Sequence, residues 1–163
     1  MYIANMLTGL SSYCELNQGG LMQLSYAPLH WLGANDTLIS DAGVWLSAIT
    51  FSTGDWLTLP LLPRDNAWQE NRRANDQGVY YDQEISGIVP GLRAAASAEI
   101  EEMEHMRFLV KLQDRNARTW LIGSLEEGLD FSAQATTGPI GGLNAYTIRF
   151  SGLQLWRAAS YAH

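Results

Sequence analysis

Cysteine is almost absent from this sequence, since Cys14 is the only one among 163 residues. A single cysteine cannot form an intrachain disulfide, and one chain cannot build a cysteine-based zinc site from it. The sequence also lacks the basic and apolar regions of a signal peptide, and no apolar run approaches the ~20 residues that a membrane helix needs. We therefore expect a soluble protein of a reducing compartment, with no membrane partner.

Basic residues are scarce. Ten Lys and Arg residues stand against seventeen Asp and Glu residues, which gives a formal net charge of -7 at pH 7. A surface of this sign repels phosphate, so tight binding to nucleic acid is not expected. The charge is compatible with a channel through which DNA slides without sticking.

Signatures of catalysis are also missing. The only histidines are His30, His105 and His163, and they are scattered along the chain. A helix would place Glu101 and His105 one turn apart as two metal ligands, but a surface ion pair is favoured because no third ligand is evident. The glycine-rich residues 138–142 lack the lysine of a P-loop and indicate a hairpin loop instead. The sequence therefore predicts no enzyme, no cofactor and no metal site.

Strand patterns dominate what is present. The chain is 47% apolar, with six Trp and seven Tyr, and its length suits one domain over residues 1–163. The segments that are rich in β-branched and aromatic residues, or that alternate apolar with polar residues, are 21–26, 44–51, 56–59, 79–89, 107–112, 119–122, 129–133 and 144–150. They predict a mainly β (α+β) protein, an antiparallel β-sandwich or barrel of about seven or eight strands with one main helix.

The helix is predicted over residues 92–106. Its apolar residues recur at spacings of three and four, which defines an amphipathic helix. They are Leu92, Ala95, Ala96, Ile100, Met103 and Met106. We expect this stripe to face the core, and the helix glutamates to face solvent or a partner.

Two side-chain placements follow from these elements. Strand geometry places Phe108, Val110 and Leu112 on one face of a strand and their neighbours on the other. We also expect Trp120, between polar and apolar neighbours, to pack in the core against the apolar stripe of the helix.

Two segments are candidates for contacts with other subunits. Residues 1–18 are interpreted as an N-terminal arm. Residues 64–78 form the most polar stretch and are interpreted as a long interface loop; a solvated β-extension of alternating charge is the alternative. The candidate interface residues are Arg64, Asp65, Trp68, Glu70, Arg72, Arg73 and Asp76.

The second half of the chain resembles a known group of proteins. The motifs that carry the resemblance are Gly78-Val79-Tyr80-Tyr81, Ile88-Val89-Pro90-Gly91, the glutamate-rich helix, Arg107-Phe108-Leu109-Val110, Asp114-Arg115-Asn116, Trp120-Leu121-Ile122-Gly123-Ser124 and Asn144-Ala145-Tyr146-Thr147-Ile148-Arg149-Phe150-Ser151-Gly152. They resemble uncharacterised phage and prophage tail-region proteins of Bacteroidetes-type genomes. The order of elements is also similar to the phage tail-tube fold, in which two sheets and one helix form a protomer of a hexameric ring.

The resemblance implies a non-enzymatic structural protein of a virion tail, assembled in the cytoplasm of a bacterial host. Such a subunit would form a tail tube, or a tail-completion or neck component. Its partners would be copies of itself in stacked hexameric rings, other tail proteins, and DNA that passes without tight binding. A stand-alone β-sandwich module that binds a small ligand or carbohydrate is the alternative. An enzyme whose active site has no recognisable sequence motif is a third hypothesis.

Overall fold

The computed structural model describes residues 19–33, 44–45, 48–140, 142 and 144–161. The predicted arm over residues 1–18, with Cys14, lies outside these residues. The strands are β1 (Leu21–Pro28), β2 (Leu57–Leu59), β3 (Ala67–Asn75), β4 (Gly78–Pro90), β5 (Arg107–Asp114), β6 (Thr119–Ile122), β7 (Leu129–Thr137), β8 (Asn144–Gln154) and β9 (Ala159–Ser160). The helix α1 covers Ala94–Met103, and a short 3-10 turn covers Leu29–Trp31.

The strands form one antiparallel sheet that divides at β5. β5 pairs with β1 along one edge; on its other edge it pairs with β7 only at Arg107 and Phe108, and from Val110 onward with β6. One arm of the sheet is β7-β8-β4-β3, and the other is β2-β1-β5-β6-β9. The strands at the two ends of the main path, β2 and β3, do not pair with each other, so the sheet is open. The prediction of a mainly β, antiparallel protein with one helix is confirmed.

The main core lies between the two arms. Phe108 on β5 contacts Phe150 on β8 with 5.8 Å between ring centroids, and Tyr26 on β1 lies 6.0 Å from the same ring. Phe108, Val110 and Leu112 all belong to this core, as the alternation of the strand predicts. Because aromatic rings bury large apolar areas, these contacts hold the two arms face to face.

A second, smaller core covers the opposite face of β5 and β6. Leu109 and Leu121 contact residues from the segment before β2 and from the end of the chain, among them Trp45 and Tyr161. The hydroxyl of Tyr161 accepts a hydrogen bond from the backbone N–H of Ile49 at 3.1 Å. From Phe108 to Val110, β5 is therefore buried on both faces, which explains its run of three consecutive apolar residues.

The helix is shorter and more exposed than predicted. It ends at Met103, the only buried residue of α1, and His105 lies in the turn that follows. Ala96 and Ile100 pack on the main core, whereas Leu92 and Ala95 are exposed. The hydroxyl of Tyr146 on β8 donates to the carbonyl of Arg93 at 3.1 Å and anchors the start of the helix.

One predicted strand is wrong within the described residues. Among 44–45 and 48–51, Val44 and Phe51 make isolated bridges, to Ser160 and Leu32 respectively, and the backbone N–H of Trp45 donates to the carbonyl of Ser160 at 2.8 Å. The apolar residues of this segment cover the second core instead of joining a ladder. The β-branched and aromatic composition of this segment correctly indicates that it is buried, but a buried segment need not be a strand.

Candidate functional site

Residues 64–78 form most of a β-hairpin, so the prediction of a long loop is wrong. β3 pairs with β4 over nine consecutive positions, from Ala67 opposite Ser86 to Asn75 opposite Gly78. Gly78 has a φ of 137°, and Asn75 accepts a hydrogen bond from the N–H of Gln77 at 2.9 Å. The alternative interpretation, a solvated β-extension, describes this segment. Polar residues fill both faces of its outer half because little of it covers the core.

The tip of the hairpin projects beyond the rest of its sheet. The pairing of β4 with β8 ends at Tyr81 opposite Gln154, whereas β3 and β4 continue together to Asn75 and Gly78. Residues 71–79 are exposed, and Val79 is exposed by 39% although it is apolar. A two-stranded ribbon without a core beneath it gains little from burial, which is why exposed ribbons of this kind are often contact elements.

Two of the predicted interface residues point into the protomer. The indole Nε1 of Trp68 donates to Oε1 of Gln83 at 2.9 Å, and Nε2 of Gln83 donates to Oε1 of Glu70 at 2.6 Å. The same Glu70 oxygen accepts from the backbone N–H of Ala158 at 2.7 Å, and Oε2 lies 3.4 Å from Nη1 of Arg157. This Glu70 network ties β3 to β4 and to the chain before β9, so it is an internal clamp.

The other predicted interface residues remain on the surface. They are Arg64, Asp65, Arg72, Arg73 and Asp76. Nε of Arg73 forms an ion pair with Asp82 on β4 at 3.2 Å, and Asp65 adopts a φ of 61° just before β3. The exposed members therefore lie before β3, near its far end and in the turn after it. Trp68 and Glu70 face inward and leave the candidate contact surface.

A surface apolar patch lies near the base of the hairpin. We define the β8 end patch as Leu153, Leu155 and Trp156, which are exposed by 56%, 64% and 58%. Leu153 lies opposite Asp82 of β4 in the sheet, so the patch and the hairpin are neighbours. Leu155 and Trp156 also line a surface pocket of about 220 Å³ with Ser124, Glu126 and Glu127. The sequence pattern did not reveal this patch, because these residues continue the apolar composition of β8.

The outer face of the β4-β8-β7 sheet carries paired charges of both signs. Arg149 contacts Glu84 at 3.0 Å, and Arg107 contacts Asp130 at 3.6 Å. The same face holds an open groove of about 480 Å³. The charges of this face are therefore mixed, whereas four exposed carboxylates cluster on the helix and just after it, at Glu99, Glu101, Glu102 and Glu104.

In the described part of the chain, no group of three or more His, Cys, Asp and Glu side chains is arranged to hold a metal ion. Within the same part, no helix has the length and apolarity required to cross a bilayer. Comparisons with protein-family models, with curated proteins and with solved structures found no match to this chain.

Proposed function

We propose that this protein is a non-enzymatic structural subunit of a phage tail, either of the tail tube or of a related completion or neck component. Copies of the chain assemble into hexameric rings that stack around a DNA conduit. The order of elements in the second half of the chain motivates the family, and the free edge of β3 carries the mechanism of assembly.

The edge of β3 is the observation on which the proposal rests. β3 is nine residues long and, among the described residues, pairs only with β4. A two-residue turn makes Asn75 and Gly78 a hydrogen-bonded pair, and such pairs recur at every second residue of a hairpin. The backbone N–H and C=O groups of residues 68, 70, 72 and 74 therefore point away from β4. An unpaired row of this length is a template for a strand from another subunit.

The side chains around this edge suit a specific neighbour. Arg72 and Arg73 discourage pairing with an uncharged strand and favour one that offers carboxylates. The β8 end patch adds apolar area beside the hairpin, and exposed clusters of large apolar side chains mark protein contacts. Backbone pairing, charge and apolar burial thus act at one end of the molecule.

The charge distribution supports a conduit that does not retain DNA. The net charge is -7, so the long-range field of a ring repels phosphate. The sheet face with paired charges offers few free cations, since Arg149 and Arg107 each face a carboxylate. DNA passes such a surface without the counterion release that drives tight binding.

A proline substitution tests the assembly mechanism. Arg72→Pro removes a backbone N–H that points to the free edge, and proline is tolerated at such positions of edge strands. Arg72→Ala removes the same side chain and keeps the N–H. We expect wild-type protein and Arg72→Ala to form rings in negative-stain images, and Arg72→Pro to fold, by circular dichroism, but to sediment as a monomer. Wild-type protein that stays monomeric at high concentration, or Arg72→Pro that assembles normally, would refute the proposal.

One observation favours the alternative, a carbohydrate-binding module. Trp156 is 58% exposed beside the pocket that Ser124, Glu126 and Glu127 help to line. An exposed indole next to carboxylate and hydroxyl acceptors can stack on a sugar ring and bind its hydroxyls. Saturable binding of an oligosaccharide to a monomeric protein, lost in Trp156→Ala, would favour this function over ring assembly.

A further inference from the structure

Lys111 is the only lysine of the chain, which otherwise uses nine arginines for its basic side chains. It lies in the middle of β5, opposite Ser25 of β1 and Leu121 of β6. Its Nζ is 4.8 Å from the ring centroid of Trp56 and 5.9 Å from that of Tyr161. The ammonium group is therefore held by two aromatic rings, at the border of the second core.

A small pocket opens beside this ammonium group. Its volume is about 150 Å³, and Lys111 lines it together with Gln23, Ser25, Gln113 and Thr119. Ser25 is 95% buried as a residue, since its exposure is 5%. None of these four neutral side chains forms a hydrogen bond with another described residue, so their amide and hydroxyl groups are available to a ligand.

Within the part of the chain that the structure describes, the Lys111 ammonium group has no carboxylate at salt-bridge distance, within 4.0 Å. Burial lowers the pKa of Lys111, and the more distant Asp55 raises it by a smaller amount. Because a partly buried cation without an adjacent anion is costly, an anion from solution would relieve this cost.

We propose that the Lys111 pocket binds the carboxylate group of a small organic acid. One ammonium group matches one negative charge, and the side chains of Gln23, Gln113, Ser25 and Thr119 can donate to carboxylate oxygens. A single ammonium group does not neutralise phosphate, whose charge at pH 7 is roughly −1.5 to −2. The Trp56 ring lies beside the ammonium group and helps to fix its position. This site goes beyond the proposed function, since it needs no second subunit.

Nuclear magnetic resonance can test the site directly, because ¹³C-labelled lysine gives one Cε signal in this protein. Relative to chloride at equal ionic strength, we expect acetate to shift that signal saturably and to raise the apparent pKa of Lys111. Inorganic phosphate should shift it less. A shift that is linear in acetate, or equal for acetate and chloride, would overturn the proposal. A shift that depends on protein concentration would assign the carboxylate to a neighbouring copy and also overturn it.

Pocket variants provide the matched controls. Thr119→Val and Gln113→Leu keep Lys111 as the reporter and remove single hydrogen-bonding groups, so each should weaken acetate binding several-fold. Lys111→Met should abolish the rise in melting temperature that acetate gives over chloride. Unchanged acetate binding in both Thr119→Val and Gln113→Leu would contradict the site. None of these substitutions touches the edge of β3, so loss of acetate binding and loss of ring assembly are separate outcomes.

Discussion

The ring of Trp68 on β3 lies against the ring of Trp120 on β6, with centroids 5.7 Å apart and planes inclined by 43°. These two strands belong to different arms of the sheet, so the contact closes one side of the core. Trp120 packs on the core as its sequence context predicts, but its aromatic neighbour is Trp68, while the helix packs on β7.

Removing Trp68 should destabilise the protomer. Trp68→Ala removes the contact with Trp120 and leaves the buried Oε1 of Gln83 without its indole donor. We expect a loss below the roughly 3–5 kcal/mol of a fully buried tryptophan, because Trp68 is half-buried. Urea unfolding measures it. The control is Trp156→Ala, which should change stability by less than about 0.5 kcal/mol at an exposed position.

The Glu70 network should be worth more than the surface ion pairs. Glu70→Ala leaves the N–H of Ala158 and the buried amide of Gln83 without an acceptor, which should cost about 1–3 kcal/mol. Glu84→Ala breaks the exposed pair with Arg149 and should cost at most about 1 kcal/mol. Equal losses of unfolding free energy for the two variants would contradict the clamp.

Val110 on β5 and Leu155 in the β8 end patch allow a paired test of burial. Val110 is fully buried in the main core, so Val110→Asp places an unpaired charge there and should prevent folding. Leu155→Asp introduces the same side chain at a position that is 64% exposed and should fold normally. Soluble expression and near-ultraviolet circular dichroism distinguish them. A folded Val110→Asp protein would mean that β5 is placed incorrectly.

Alkaline pH should destabilise the fold through Tyr26. Burial, with a smaller contribution from Glu99, raises the pKa of Tyr26 from 10.0 to about 12. Above pH 10 the unfolded chain loses this proton first, so the stability that Tyr26 contributes below pH 10 is lost as pH rises towards 12. Tyr26→Phe removes the titrating hydroxyl group. Its unfolding free energy should therefore fall less between pH 10 and pH 12 than that of the wild type, and parallel pH profiles would exclude the effect.

Much of the sheet follows from local sequence. Alternation and turn residues together predict β1, β4, β5 and β6 nearly to their ends. The turn between β5 and β6 shows why: Asp114 accepts hydrogen bonds from the backbone N–H groups of Asn116 and Arg118, at 2.9 and 3.0 Å. Such hydrogen bonds join residues that are close in the chain, so they can be predicted without knowledge of the tertiary structure.

What sequence could not show depends on distant partners. β9 has only Ala159 and Ser160, too few residues for a period, and it forms because β6 offers an edge. The sequence places Glu70 among the candidate interface residues because the register of β3 against β4, which turns its side chain inward, is not visible in composition. The Lys111 pocket joins residues from β1, β5 and β6, and no spacing along the chain brings them together.

The hydrogen bond from Ala158 to Glu70 joins residues 88 positions apart. During translation, β3 emerges long before the residue that completes its carboxylate acceptor. The Glu70 network can be completed only after residue 158 has been synthesised, and 88 residues at about 5–20 per second take roughly 4–18 s. Closing a loop of that length also costs much chain entropy before any stabilising contact forms, which slows folding. In that interval the edge of β3 can pair with other nascent chains. Co-translational chaperone contact at this hairpin would block such pairing and so raise the yield of native protomers.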